Sequence, residues 1–379
     1  MTMYSGYAAI LDGLRRKSRL RSLVPQRGID FTSNDFLALA LSPRLKAALT
    51  AALDRGVPAG AGGSRLLRGN HPEHEALELE AAAFFGAERA VYFGSGYMAN
   101  FALFATLPRR DDLILHDALI HASAHEGLAA SKAASLSIPH NDASAFDHAI
   151  RSWRKNGGKG RPWIAVESLY SMDGDQAPLA ELARIADHHD GFLVIDEAHA
   201  TGVFGAGGRG LAPGLEGREN IVALHTCGKA LGLSGALLAL PHILAEYLIN
   251  RARAFIYSTA PSPLMATGVR EALRIVHDEP QRREALRDLI ALTGQELTRR
   301  LGIAPSGSHI QPIIIGSNTQ ALQIANALQM QGFDIRAIRP PTVPEGTARL
   351  RLSITLNVDQ QQISQMLECL AATMKEYKA

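Results

Sequence analysis

The chain has 379 residues, of which 46% are hydrophobic and 20% are charged, a composition typical of a folded globular protein. Its formal net charge of +2 gives no reason to expect nucleic acid or an anionic membrane as a partner, and no apolar run approaches the roughly 20 residues that span a bilayer. The length predicts more than one structural unit, and the two cysteines favour a reducing, cytoplasmic setting over a disulfide framework.

The opening of the chain is interpreted as an N-terminal segment, residues 1–44. Its basic first stretch is predicted to be an amphipathic helix with Ile10 on the apolar face. A short strand and a turn follow within 29–41. The next helix begins after its cap, Ser42, and ends at Gly56.

A large domain is predicted over 45–270 and a small C-terminal α+β domain over 271–379. Strands and helices alternate from about 88 to 240, which favours a mostly parallel sheet flanked by helices. The remaining predicted elements are a helix and a strand before Pro261, one long helix over about 264–301, strands at 310–316, 333–340 and 348–354, and helices at about 318–331 and 358–376.

A glycine-rich turn follows the predicted strand Ala90–Phe93 and opens a helix. The turn contains Gly96 and Tyr97. A helix N-terminus offers free backbone N–H groups and a favourable dipole for a phosphate group, and the tyrosine ring is suited to stacking. The turn is therefore a candidate phosphate site, although many strand–helix turns contain two glycines.

Three histidines, His116, His121 and His125, lie close together in the sequence. Their spacing does not match a zinc motif such as H-E-x-x-H, so we predict no metal site. A flat imidazole at His121 is better suited to lie on a planar cofactor.

Two further stretches carry the strongest chemical signal. The apolar strand in GFLVIDEAHATG delivers Asp196 and His199 at its carboxyl end, and Lys229 follows the apolar run 221–224 between small residues. An amine and a carboxylate, each just past a buried strand, are what a pyridoxal phosphate (PLP) site requires. Ser171 falls near the same strand ends, in a polar turn whose acids, including Glu167, are interpreted as turn residues.

Several stretches together identify a family resemblance. They are SNDFLAL, GSRLLRGNHPEHEALE, FGSGYMAN, SMDGDQAPL, VIDEAHATGVFGAGGRG, TCGKALGLSGA, YSTAP and RPPTVPEGTARLRLSI. In this order and over nearly the full length, they resemble the α-oxoamine synthases, PLP-dependent enzymes of the aminotransferase-like fold. The resemblance implies an α/β large domain with a mostly parallel sheet and a smaller α+β C-terminal domain.

The resemblance also implies a role for each matching residue. Lys229 would hold PLP covalently, Asp196 would bond its ring nitrogen, and His199 its phenolic oxygen. The other positions implied to contact the cofactor are Gly96, Tyr97, His121 (stacked on the ring), Ser171, Thr226 and Thr259, the last in the partner subunit's site. The positions implied to contact substrate are Arg21, Asn34, His121, Thr342 and Arg351, with Arg349 as the rival of Arg351. His225, before Thr226, departs from the family pattern.

The reaction implied is the decarboxylative condensation of L-alanine with a pimeloyl thioester in biotin biosynthesis, by a cytoplasmic homodimer with its site at the subunit interface. Whether coenzyme A or a carrier protein holds the acyl group is left open. A glycine-using member, 2-amino-3-ketobutyrate ligase or 5-aminolevulinate synthase, is the alternative. Two other classes are weaker: DEAH at 196–199 also occurs in helicases, but no P-loop motif is present, and a noncatalytic scaffold does not explain Lys229 together with Asp196.

Overall fold

The computed structural model describes residues 3–212 and 214–377 and divides the chain into two compact units. The central unit comprises Leu37–Ser171 and Gln176–Arg283. The terminal unit comprises the residues up to Phe36, Met172–Asp175, and the residues from Glu284 onward. This division differs from the predicted segments 1–44, 45–270 and 271–379, because the beginning of the chain belongs to the same unit as its end.

Helices and strands of the described residues are numbered in chain order. The helices are α1 (Ser5–Arg16), α2 (Pro43–Asp54), α3 (Pro72–Phe85), α4 (Gly96–Thr106), α5 (Ala122–Ala130), α6 (Ala143–Lys155), α7 (Leu179–His188), α8 (His242–Arg251), α9 (Arg253–Ile256), α10 (Pro263–Asp278), α11 (Pro280–Leu301), α12 (Asn318–Met330) and α13 (Gln360–Glu376). The strands are β1 (Ile29–Asp30), β2 (Arg89–Phe93), β3 (Leu113–Asp117), β4 (Ala134–Ile138), β5 (Pro162–Glu167), β6 (Phe192–Asp196), β7 (Ile221–Thr226), β8 (Ala236–Leu240), β9 (Ile310–Gly316), β10 (Phe333–Asp334), β11 (Ala337–Ile338) and β12 (Ala348–Ser353).

The central unit is built on a sheet whose strand order is β2-β8-β7-β6-β5-β3-β4. The pairs from β4 through β7 are parallel, and β8 runs antiparallel to both of its neighbours. The prediction of a mostly parallel sheet flanked by helices is confirmed. In such a sheet the ligand site lies beyond the carboxyl ends of the strands.

Hydrophobic side chains cover both faces of this sheet. Along β6, Val194 packs in one apolar cluster with residues of α4 and α8, whereas Leu193 and Ile195 pack in a second cluster with residues of α6 and α7. Successive strand residues point to opposite faces, so a strand buried on both sides must be apolar throughout. Each fully buried aliphatic side chain contributes about 1.5–3 kcal/mol to the free energy of folding, and this burial holds the strands that carry the site in place.

Helix ends in the structure carry capping residues, among them the predicted cap Ser42. The Ser42 hydroxyl accepts a hydrogen bond from the backbone N–H of Leu45, and Pro43 occupies the first turn of α2. Gly86 ends α3 in the left-handed conformation, with φ of 76°.

The terminal unit joins the two ends of the chain through its backbone. Strand β1 pairs in parallel with β10, and the antiparallel strands follow the order β11-β12-β9. The predicted first helix is present as α1, but its apolar residues do not pack in the core, since Ile10 is 65% exposed.

Three predicted elements after the sheet differ from the structure. The predicted strand before Pro261 is instead the short helix α9, whose Phe255 side chain packs edge-on against Phe93. The predicted long helix is two helices that break at Pro280, because proline lacks a backbone N–H and disfavours helical geometry at Glu279. The predicted strand over 333–340 is the pair β10 and β11, which bond different partners.

None of the helices in the described part of the chain combines the length and the apolar character needed to cross a membrane.

Candidate active site

The predicted catalytic groups of the central unit lie where neighbouring parallel strands end. Strand β6 ends at Asp196, opposite Glu167 of β5 on one side and Leu224 of β7 on the other. His199 follows β6 by three residues, and Lys229 follows β7 by three. The sheet register therefore brings together side chains that the sequence separates.

Asp196 is held in a fixed orientation. Its Oδ2 accepts a hydrogen bond from Asn100 Nδ2 at 2.9 Å, and its Oδ1 accepts one from the backbone N–H of Ala198 at 2.9 Å. The side chain is 7% exposed, so these donors replace water. Donors on both oxygens favour the ionised carboxylate.

Lys229 and His199 meet directly, with 2.8 Å between Lys229 Nζ and His199 Nε2. The loop after β7 is closed by backbone bonds from Cys227 N–H to the carbonyl of Gly235 and from Leu233 N–H to the carbonyl of Cys227. Gly235 has φ of 112°, and a Cβ there would lie 2.4 Å from the ring of Tyr92. Only glycine fits this closure, which fixes the backbone that carries the lysine.

His121 belongs to the same polar network. It caps α5, its Nδ1 lies 2.7 Å from Ser123 Oγ, and Asn100 Nδ2 donates to that hydroxyl at 3.0 Å. One chain of hydrogen bonds thus connects His121 to Asp196. Burial lowers the His121 pKa, the Lys229 charge lowers it further, and the Asp196 charge opposes both. A neutral, flat imidazole is therefore favoured.

The phosphate candidates also meet. A Cβ on Gly96 would lie 3.5 Å from Thr226 Oγ1, so the threonine hydroxyl lies beside the N-terminus of α4. The Thr226 hydroxyl lies 3.4 Å from both the backbone N–H of Gly228 and the carbonyl of Gly235. Tyr97 is 50% exposed at the same helix end. A hydroxyl beside a helix N-terminus suits a phosphate group.

Ser171 lies in the turn after β5, where its backbone N–H donates to Glu167 Oε2 at 3.1 Å. Glu167 is therefore more than the polar turn residue that the sequence predicts: it is the last residue of β5, and its side chain is buried.

His225, the departure from the family pattern, has a structural role in the core. Its ring stacks on Phe85 with 3.5 Å between centroids, and its Nδ1 lies 2.9 Å from Thr201 Oγ1. Burial and the nearby Arg209 charge lower the His225 pKa to about 3, so the ring is neutral.

In the terminal unit, the structure separates the two rival arginines. The Arg349 guanidinium bonds the carboxylate of Asp173, whereas Arg351 donates to the neutral amide oxygen of Asn34 at 3.0 Å and to Ser353 Oγ at 3.0 Å. The charge of Arg349 is thus paired with an anion.

Arg21 and Thr342 also meet in the terminal unit. Arg21 Nη2 donates to Thr342 Oγ1 at 2.9 Å, although the two residues are 321 positions apart. They line a cavity of about 170 Å³ together with Arg19 and Arg339. Burial and the Arg21 charge lower the Arg339 pKa, as expected where guanidinium groups crowd around a small cavity.

Thr259 is the predicted cofactor residue that the structure does not connect to this group. It is exposed, in a segment where the Ala260 backbone N–H donates to the carbonyl of Gly63. His116 and His125 contact each other edge to face, and the described residues contain no group of three or more His, Cys, Asp or Glu side chains arranged to hold a metal ion.

Sequence reasoning missed two residues of the network, Asn100 and Ser123. Both are buried polar residues, Asn100 in the mostly apolar helix α4 and Ser123 in the first turn of α5. A lone asparagine in MANFALF is the signal that could have found the first, because a buried amide needs a partner.

Comparisons with known proteins agree with this geometry. The family model described as aminotransferase class I and II matches residues 26–370. An 8-amino-7-oxononanoate synthase of Chromobacterium violaceum is 39% identical over 363 residues, covering 94% of this chain and 93% of the relative. This chain belongs to the 8-amino-7-oxononanoate synthase family.

Two solved structures resemble this synthase-family chain. The 8-amino-7-oxononanoate synthase of Francisella tularensis has a TM-score of 0.78 at 29% identity, covering 93% of this chain and 99% of that one. A variant of the serine palmitoyltransferase of S. paucimobilis, solved with a bound PLP–myriocin aldimine, has a TM-score of 0.89 at 26% identity, covering 98% of both chains.

Proposed function

We propose that this chain condenses L-alanine with a pimeloyl thioester to give 8-amino-7-oxononanoate and CO2, as an acyltransferase of biotin biosynthesis. The observation that carries the proposal is the group formed by Lys229, His199, Asp196 and His121 in a chain with synthase relatives near 40% identity. The sequence prediction that the protein acts in the cytoplasm remains part of this proposal.

The central-unit residues fit PLP as the cofactor. Lys229 supplies the amine for a covalent link, Asp196 a carboxylate for the ring nitrogen, and His121 a neutral imidazole for the ring face. Thr226, beside the N-terminus of α4, suits the phosphate group. When bound, PLP supplies an electron sink that stabilises negative charge on the α-carbon of an amino acid.

The protein residues then have defined tasks. The amine of Lys229 accepts the α proton of alanine and later returns a proton to the product carbon. The Asp196 carboxylate, held by Asn100, would accept a charge-assisted hydrogen bond from the ring nitrogen, a contact that typically contributes about 1.5–3 kcal/mol. His199 lies against the lysine amine and is the proposed partner of the cofactor's phenolic oxygen, and Ser171 is proposed to contact the cofactor as well.

The terminal-unit residues are proposed to bind substrate. Arg351, with Asn34, would bind the alanine carboxylate, because a guanidinium fork matches a carboxylate in two parallel hydrogen bonds. Arg21 and Thr342 would bind the acyl substrate. In the overall reaction, a carbon–carbon bond forms at the thioester carbonyl, the thiol leaves, and the alanine carboxylate departs as CO2.

The deciding experiment incubates the purified protein and PLP with alanine or glycine and with pimeloyl, acetyl or succinyl coenzyme A. We expect 8-amino-7-oxononanoate, identified by mass spectrometry, from alanine and the pimeloyl thioester. Preferential turnover of glycine with acetyl or succinyl coenzyme A would instead identify 2-amino-3-ketobutyrate ligase or 5-aminolevulinate synthase activity. Pimeloyl carrier protein, assayed in parallel, distinguishes the two acyl carriers.

We further propose a homodimer in which Thr259 contacts the partner subunit's cofactor phosphate. The support is apolar exposure in two adjoining segments: Leu67 is 88% exposed and Tyr257 is 73% exposed, while the Gly63 carbonyl and the Ala260 N–H bond these segments together. Sedimentation should give a dimer mass for the wild type and a monomer for Leu67→Glu. Leu79→Glu, at an exposed leucine of α3, is the control for an added charge.

A further inference from the structure

Two buried carboxyl groups end adjacent strands of the central sheet. Glu167, the last residue of β5, is paired in register with Asp196, the last residue of β6. Both side chains are buried, Glu167 at 3% exposure and Asp196 at 7%. Two carboxylates at such positions would repel each other and would not be solvated by water. A pair of carboxyl groups in this setting therefore holds one proton between them.

Hydrogen bonds decide which of the two carboxyl groups takes that proton. Each oxygen of Asp196 has its own donor, Asn100 Nδ2 or the Ala198 N–H, and each bond is 2.9 Å long. Glu167 accepts one bond, from the Ser171 N–H to Oε2. Its Oε1 is shielded from solvent and has no hydrogen-bond partner among the described residues. An ionised oxygen without a donor is costly to bury, whereas a protonated one is far less so.

We propose that Glu167 is a positioning residue that remains a neutral carboxylic acid, so that Asp196 alone carries the negative charge offered to the cofactor's ring nitrogen. This inference rests on the role proposed above for Asp196. In this arrangement the proton at the ends of β5 and β6 resides on Glu167. Glu167 Oε2 accepts the hydrogen bond that holds the turn of Ser171.

Other charged and titratable groups also surround Glu167. Asp117, at the end of β3, adds a further negative charge, and Tyr170 follows β5 with its own hydroxyl. Lys229 is the cation that opposes them. Burial and the Asp196 charge raise the pKa of Glu167 well above its usual range despite that lysine.

A second buried glutamate, Glu197, has a fuller set of hydrogen-bond donors, although burial raises its pKa as well, to about 7. Glu197 accepts bonds from Leu211 N–H, Ala212 N–H and Ser168 Oγ, so both of its oxygens have donors. It thereby holds the glycine-rich loop after β6. Glu167 has burial in common with Glu197 but not this set of donors.

The test uses apoprotein without substrate, so its outcome is independent of the proposed reaction. Urea unfolding of the wild type and Glu167→Gln is compared from pH 5 to pH 8. A folded carboxyl with a raised pKa gives stability that is full below the unfolded pKa and is lost as pH rises towards the folded pKa. Glu167→Gln has no carboxyl group to ionise and does not lose stability in this way. Between pH 5 and pH 8, the unfolding constant of the wild type divided by that of the variant should therefore rise about tenfold or more.

A pH-independent ratio would overturn the proposal, because a carboxylate that merely held Ser171 would be ionised in both states. When the same comparison is made in an Asp196→Asn background, the pH dependence of the ratio should be smaller, because the repelling charge is gone. An unchanged pH dependence would also contradict the proposal. If Glu167→Gln does not fold, Glu167→Met gives the same comparison without an amide. In folded wild type at pH 7, infrared spectroscopy should show a protonated-carboxyl band that the variant lacks.

Discussion

The central and terminal units assemble their functional side chains in different ways. In the central unit, Asp196 ends β6 and Lys229 follows β7, and the parallel pairing of these strands aligns them. In the terminal unit, Arg351 bonds Asn34 and Arg21 bonds Thr342 across more than 300 positions of sequence. The first arrangement is local and regular, whereas the second depends on both ends of the chain. Strand register therefore fixes the first set of side chains, whereas contacts between distant segments of the chain fix the second.

The largest expected effect tests the central unit. Lys229→Ala removes both the covalent anchor and the proton acceptor, so turnover should fall by about 10²–10⁴-fold or more. Borohydride treatment followed by peptide mapping should find a cofactor adduct on the peptide of residue 229 in the wild type but not in Lys229→Ala. Lys132→Ala, at an exposed lysine, is the matched control and should retain both the adduct and the activity. Turnover by the Lys229 variant at the wild-type rate would contradict the assignment.

The next effect tests the terminal unit. Arg351→Lys keeps the charge but loses the planar fork, so kcat/KM for alanine should fall by about 10–100-fold, corresponding to about 1.5–3 kcal/mol. Arg349→Lys is the informative comparison, because Arg349 is bound to Asp173 and should affect stability more than alanine use. An effect on alanine kinetics confined to Arg349→Lys would reverse the choice between the two arginines.

A third prediction concerns the core of the central unit. His225 has a pKa lowered by burial to about 3 in the folded state, so it stays neutral while the unfolded chain gains a proton below pH 6.5. Its stabilising contribution is therefore present above pH 6.5 and is lost as the pH falls, by about 2 kcal/mol between pH 7.5 and 5. His225→Phe should lack this loss in urea unfolding of apoprotein. Equal pH slopes in the two proteins would show that His225 is protonated in the folded state.

The smallest effect concerns a single exposed contact. Thr342→Val removes the hydroxyl that accepts from Arg21, worth about 0.5–1.5 kcal/mol, so KM for the pimeloyl thioester should rise about 2–10-fold with little change in kcat. Thr347→Val, at a half-buried threonine that bonds the Pro344 carbonyl, should leave KM unchanged. A fall in kcat without a change in KM would argue against a binding role for Thr342.

The central unit was easier to predict from sequence than the terminal one. Mostly apolar strands ending in Asp196 and Thr226 indicate a parallel sheet and its ligand edge directly, because burial on both faces leaves a clear pattern. Asn100 escaped prediction because its partner is set by packing between α4 and β6, which no local pattern records.

In the terminal unit, helices and strands could be predicted from local patterns, but their partners could not. The predicted strand over 333–340 divides because its first part bonds β1 and its second part bonds β12. Strand pairing between distant segments is chosen by the whole fold, so neither propensity nor periodicity could predict it. The alternation of residues along β12 also could not show that Arg349 binds Asp173 while Arg351 donates to the amide oxygen of Asn34.

The pairing of β1 with β10 has a consequence for biosynthesis. Ile29 leaves the ribosome long before Phe333, its partner in the ladder, so the opening strand must wait through most of translation. During that interval its edge is available to chaperones or to neighbouring nascent chains. A pause in elongation between the codons of Ile29 and Phe333 should therefore reduce the yield of active protein more than the same pause placed before Ile29.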